Sequence, residues 1–185
     1  MQTAFRWSDA FADWVSQSSH THLRDFVIGG YLIDKPGLRS FPYSIFRATN
    51  PLTYAHLKDR QEEHDMGEVW AQTLHNVLAN LVREFSGTTD ALTNPDGETG
   101  HPVFMRLFVD SLALLPCNPS FTDARDAFIQ ADVNRYEGKH HCALWQGFAY
   151  VGLGMDAKDF TNSIRMPEGC QVPPHLLEEF ASIVA

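Results

Sequence analysis

The sequence predicts a mainly α protein with one short extended segment, on three observations. Val69, Trp70, Leu74, Val77, Leu78, Leu81, Val82 and Phe85 recur at helical spacing, so one long helix carries a broad apolar face. Helical patterning returns three times downstream, over 102–115, 123–136 and 139–151, whereas only 24–33 reads as extended. The composition supplies a core for one domain: of 185 residues, 44% are hydrophobic, 12% aromatic and 20% charged, which rules out disorder as the default.

Taken in order, Ser8 or Asp9 caps a first helix over Ala10–Gln17, with Phe11, Trp14 and Val15 on one face. The segment Arg24–Ile33 is a strand or extended piece interrupted by Gly29-Gly30, and Asp34-Lys35-Pro36-Gly37 is a turn by residue chemistry. Leu38–Pro51 is irregular and long enough to be a functional loop. Thr53–Arg60 predicts a short helix leading into the long one, which opens at His64-Asp65 and stops near Gly87. Thr88–Gly100 is a polar surface loop. Helices follow over Pro102–Leu115, over Asp123–Tyr136 with a cap at Ser120 or Thr122, and over Lys139–Val151. An irregular stretch from Asp156 to Pro174 leads to a last short helix, Leu176–Ile183. The abrupt opening on a core helix suggests a fragment, and the whole chain, 1–185, reads as a single helical domain.

Charge and motifs exclude several function classes. A net charge of −9 with no basic run or Arg/Lys stripe argues against nucleic acid and anionic membrane surfaces. No apolar run approaches the ~18–20 residues of a membrane span, and the N-terminus shows no signal-peptide pattern. Cys117, Cys142 and Cys170 are odd in number and lack C-x-x-C spacing, so one disulfide plus a thiol and three reduced thiols both remain open. There is no H-E-x-x-H, G-x-S-x-G, Walker loop or dinucleotide fingerprint.

The remaining polar features have plain local readings. His20-Thr21-His22 and His140-His141 read as solvated, because neither pair has i, i+4 ligand spacing. Asp123-Ala124-Arg125-Asp126 and Arg60-Gln61-Glu62-Glu63 read as helix surface pairs, and Trp7, Trp14, Trp70 and Trp145 as core anchors. His64 sits at a helix start, beside unpaired N–H groups and the positive dipole end.

Several segments in order resemble the C-terminal part of the fungalysin family, secreted fungal zinc metallopeptidases of thermolysin-like architecture. They are Trp7-Ser8-Asp9-Ala10-Phe11-Ala12-Asp13-Trp14, Leu38-Arg39-Ser40-Phe41-Pro42-Tyr43-Ser44, Thr49-Asn50-Pro51-Leu52-Thr53-Tyr54 and His64-Asp65-Met66-Gly67-Glu68-Val69-Trp70-Ala71. Downstream stand Pro116-Cys117-Asn118-Pro119-Ser120-Phe121, Ala124-Arg125-Asp126-Ala127, Ile129-Gln130-Ala131-Asp132, Cys142-Ala143-Leu144-Trp145 and Gly152-Leu153-Gly154. Each is weak alone; the ordered set is specific.

The resemblance implies the helical C-terminal lobe of a zinc metalloendopeptidase. In that family a helical H-E-x-x-H supplies two zinc ligands and a general base, and a glutamate in Gly-Glu-Gly-Trp-Ser-Asp supplies the third ligand. Here the first motif is missing, and aligning Trp7-Ser8-Asp9 puts Phe5 at the ligand position. Asp9 would be the remnant carboxylate that orients a zinc-bound histidine; with none to orient, it is expected to cap its helix. His64 matches the histidine that stabilises the oxyanion, Asp59 is placed by spacing to orient it, and Arg39 matches the arginine that grips a substrate carbonyl.

The expectations are therefore a fungalysin-like fragment, inactive as this chain and holding no zinc of its own although the family does. Its partners would be peptides or proteins, and its origin an extracellular enzyme. The alternative is a catalytically dead module that binds peptides or a protease. The exposed cleft face would favour self-association.

Overall fold

A computed structural model of the protein describes residues 7–32, 37–172, 174, 177–181 and 183. Its centre is the long helix α2, Glu63–Phe85, which packs against α1 (Trp7–Gln17), α3 (Gly100–Leu114) and α5 (His141–Tyr150). α4 (Phe121–Tyr136) lies across α3 and α5, a 3-10 helix at Tyr54–Lys58 leads into α2, and α6 (Leu177–Ala181) rests on α5. Mainly helical architecture is thus the observed class. Among the described residues, the extended part is reduced to isolated bridges, of which Phe26–Tyr43 is antiparallel with N···O distances of 2.9 and 2.8 Å. Gly29, at φ +70°, turns the chain out of the extended conformation that 24–33 was expected to hold.

α2 is more deeply buried than one apolar face requires. Trp70, Leu74, Val77, Leu78 and Leu81 are buried as their spacing predicts, but so are Glu68, Gln72, Thr73, His75 and Asn76 on the other faces. That is possible because each polar group finds a partner, as the site below shows. Close helix approach is set by two glycines. A Cβ on Gly147 would lie 2.6 Å from Val77 Cα, and one on Gly100 would lie 2.5 Å from the Leu81 carbonyl carbon.

Local chemistry fixes the helix ends. Glu62 caps α2, its carboxylate accepting from the backbone N–H of His64 and Asp65 at 2.7 and 3.2 Å. Ser120 caps α4 in a reciprocal box with Asp123, at 3.1 and 2.8 Å, and Glu137 ends that helix in the left-handed conformation. Beyond α5, the irregular stretch folds back: Gly154 N–H donates to Ser163 O and Met155 N–H to Arg165 O. Cys142 and Cys170 form a disulfide that pins this stretch to α5, while Cys117 is a free, exposed thiol. The turn expected at 34–36 and the start of the last helix at His175–Leu176 lie outside the described residues.

Two plain surface readings are corrected. Arg125 is buried, donating to the carbonyls of Leu153 and Gly154 with its guanidinium over the Trp145 ring. His140 is buried too, held by Asp132 at 2.7 Å and flanked edge-on by the Phe85 and Tyr136 rings. In both cases a residue distant in sequence supplies the partner, which no local pattern reveals.

Candidate functional site

One face of α2 presents Glu68, Gln72 and Asn76, four residues apart and so stacked turn on turn. These side chains clamp the backbone of the loop that carries Arg39. Glu68 Oε1 accepts from Phe41 N–H at 2.9 Å. The Gln72 amide accepts from Ser44 N–H at 3.1 Å and donates to Ser44 O at 2.7 Å, like an added backbone rung. Asn76 reaches the same carbonyl at 3.4 Å. Both backbone groups of Ser44 are thereby hydrogen-bonded although the segment is not in a ladder.

Arg60 joins this loop to the start of α2. Its Nη2 donates to Ser40 Oγ at 2.9 Å, and its Nη1 lies 3.0 Å from Glu68 Oε2 and 3.5 Å from Asp65 Oδ1. Ser40 follows Arg39 and Asp65 follows His64, so one guanidinium ties together the segments bearing the two expected substrate-binding residues.

Arg39 itself is oriented by Asp9. Its Nε donates to Asp9 Oδ2 at 2.7 Å, its Nη1 donates to Leu38 O at 3.2 Å, and the Tyr43 hydroxyl donates to Asp9 Oδ2 at 2.9 Å. Asp9 is 5% exposed and belongs to the first turn of α1, which begins at Trp7. The capping role expected for it is therefore corrected: burial and two strong donors make it the anchor of Arg39 and Tyr43. Burial raises the Tyr43 phenol far above its usual range, reinforced by the Asp9 charge, so the hydroxyl is a permanent donor. Burial pulls the Arg39 pKa down, yet the hydrogen bond to Asp9 and its charge outweigh that and raise it.

His64 is held differently. Its Nδ1 lies 2.6 Å from Glu62 Oε1 and 3.8 Å from Glu63 Oε1, all three side chains being about half exposed. Glu62 thus occupies the place expected for Asp59, which instead sits at the C-cap of the 3-10 helix with its N–H on His56 O. The hydrogen bond from His64 holds the Glu62 carboxyl below its ordinary value.

The donor set does not fit a catalytic zinc. Among the described residues, the group of His, Cys, Asp or Glu side chains close enough to share an ion is Glu62, Glu63 and His64. It offers one imidazole, whose Nδ1 is already on Glu62, and Glu62 is also spent on capping α2. Asp9 is committed to Arg39 and Tyr43. Phe5 lies outside the described residues. A cavity of about 680 Å³ runs beside the second half of α2, walled by Leu23, Phe46, Asn80, Arg83 and Tyr150; neither Arg39 nor His64 lines it.

Sequence reading missed the buried part of this architecture. His75 is 1% exposed and paired with Asp13 at 2.7 Å, and Asp13 in turn accepts from Gln17 at 3.1 Å. His101 is fully buried, and burial pushes its pKa down to about 4. The one legible signal was spacing: Asp9 and Asp13, like Glu68, Gln72 and Asn76, repeat at four residues on helices whose other faces are apolar.

The described residues form a mainly helical lobe, consistent with the C-terminal part of a metallopeptidase. The chain belongs to the fungalysin metallopeptidase family, which it matches over residues 2–157. It is 38% identical to extracellular metalloproteinase 2 of Arthroderma otae over 172 residues, 89% of this chain and 27% of that protein. It is 41% identical to extracellular metalloproteinase mep of Aspergillus terreus over 167 residues, 86% of this chain and 26% of that protein. The chain therefore spans about a quarter of the length of these relatives.

Proposed function

We propose that this chain is the substrate-holding helical lobe of a fungalysin-type extracellular zinc metalloendopeptidase, and that it does not hydrolyse peptides by itself. Arg39 would hold a peptide carbonyl, and His64 would donate to the oxyanion that develops on the attacked carbonyl. The observation that carries the reading is the pre-set Arg39. Its Nε and Nη1 are committed to Asp9 and Leu38 O, bonds that do not use Nη2, on a side chain that is 12% exposed. A guanidinium fixed before a ligand arrives loses little entropy on binding.

Zinc and a general base would come from residues that this sequence does not contain, since it has no H-E-x-x-H and carries Phe5 where the third ligand belongs. The Cys142–Cys170 disulfide supports an oxidising, extracellular setting, in line with the names of the relatives. The exposed apolar side chains Phe11 and Val15 on α1, with Tyr31, Leu32 and Leu38, support self-association of the isolated lobe.

Elemental analysis of purified, dialysed protein, with a chelator-controlled peptidase assay, tests the reading. We expect no stoichiometric zinc and no chelator-sensitive proteolysis. About one zinc per chain with chelator-sensitive cleavage would overturn it. A second reading, a dedicated binding module without catalysis, is favoured by the same pre-set arginine. It predicts peptide capture by this chain alone, lost on Arg39→Ala.

A further inference from the structure

Asp9 makes an unusual use of its two oxygens. Oδ2 accepts from both Arg39 Nε and the Tyr43 hydroxyl, at 2.7 and 2.9 Å, while Oδ1 is turned towards Ser8 Oγ at 3.4 Å. Arginine and a carboxylate ordinarily favour a fork-to-fork pairing, with two parallel N–H···O bonds in one plane. Here the pairing is single. Arg39 meets Asp9 through Nε only and Nη1 goes to Leu38 O, so neither bond uses Nη2, while the Tyr43 hydroxyl also acts on the guanidinium.

Tyr43 is the group that can enforce this. It is 1% exposed, its backbone is bridged to Phe26 in both directions, and the following residue, Ser44, is clamped by Gln72. A hydroxyl fixed that firmly pins the carboxylate by one oxygen and stops it rotating to offer both oxygens to the guanidinium. We propose that Tyr43 is a positioning residue which keeps Arg39 single-pronged on Asp9 and so leaves Nη2 available for a peptide carbonyl. The inference rests on the reading of Arg39 as the peptide-holding residue. It adds that the availability of this edge depends on the hydroxyl of a neighbour that does not itself touch the ligand.

Tyr43→Phe removes the hydroxyl and keeps the ring. Freed of one donor, the Asp9 carboxylate turns to satisfy both its oxygens on the guanidinium, and Nη2 closes inward. The structural readout needs no peptide: nitrogen NMR of the Arg39 side chain in the full chain. Slower Nη rotation and exchange in Tyr43→Phe than in the parent is expected; unchanged Nη behaviour overturns the proposal.

The binding readout uses blocked tripeptide amides. Tyr43→Phe should weaken binding by about tenfold, the loss of one charge-assisted hydrogen bond. In an Arg39→Lys background the same change should cost less than twofold, because a lysine has no fork to close. An equal loss in both backgrounds would assign Tyr43 a general structural role and overturn the proposal. If the parent binds no peptide, or Arg39→Ala binds as well as the parent, the peptide-holding reading fails instead, and the NMR result still decides what Tyr43 does.

Discussion

Arg39 and His64 stand on adjoining segments and are held in opposite ways. Arg39 is anchored on a 5%-exposed carboxylate that is itself pinned by a buried tyrosine, on a loop clamped to α2 by Glu68, Gln72 and Asn76. His64 meets only half-exposed acids from its own helical turn, where solvent weakens the attraction. In the proposed role, the Arg39 side is set before a peptide arrives. The His64 side takes its orientation from groups that water can replace. A site can be rigid in one donor and adjustable in the other, and burial of the supporting acid is what separates the two.

Removal of the clamp should have the largest effect. Glu68→Ala leaves the Phe41 N–H without its acceptor and Arg60 without its buried carboxylate, and should cost about 3 kcal/mol in chemical denaturation. A loss below about 1 kcal/mol would mean that the loop is held by other contacts.

Acid separates the buried and exposed regions next. His101, buried beneath α1 with its carbonyl on the Trp14 indole N–H, has its pKa lowered to about 4 against about 6.5 unfolded. The folded state therefore binds fewer protons than the unfolded chain between these values. Its contribution is intact above pH 6.5 and is lost as pH falls towards 4. With solvent screening allowed for, the loss should be roughly 1–2 kcal/mol, visible as a falling melting temperature. Glu62, whose pKa is also lowered, acts in a separate window: its capping contribution is present above the unfolded carboxylate value and fades only below it. Flat stability from pH 7 to 5 would contradict the burial of a neutral His101.

The smallest effect belongs to His64 itself. His64→Ala should change stability by no more than about 0.5 kcal/mol, since its partners are exposed and its backbone N–H keeps the Glu62 cap. A loss of 2 kcal/mol would place His64 in the supporting framework and erase the contrast with Arg39.

The helices were largely legible in the sequence because their signals are local. The apolar period of 69–85 and the cap at Ser120 lie within a few residues of what they determine. The supports of Arg39 are not, because they pair residues far apart in the chain. Local pattern makes Asp9 a cap, because its partners Arg39 and Tyr43 lie 30 and 34 residues away. His140 was read as solvated although its carboxylate is eight residues off, across a helix end. Asp59 was chosen for His64 by spacing, whereas the acid on Nδ1 is Glu62, already oriented by its capping of α2. The cysteine pairing is open in the sequence for the same reason, Cys142 and Cys170 standing 28 positions apart.

Peptide capture, as proposed, rests on a pre-set Arg39 and only lightly on His64. Calorimetric titration of blocked tripeptide amides into the parent, Arg39→Ala and His64→Ala tests it most directly. A Kd about tenfold weaker is expected for Arg39→Ala, the equivalent of one charge-assisted hydrogen bond, with less than a twofold change for His64→Ala. Equal losses in the two variants, or none in either, would contradict it.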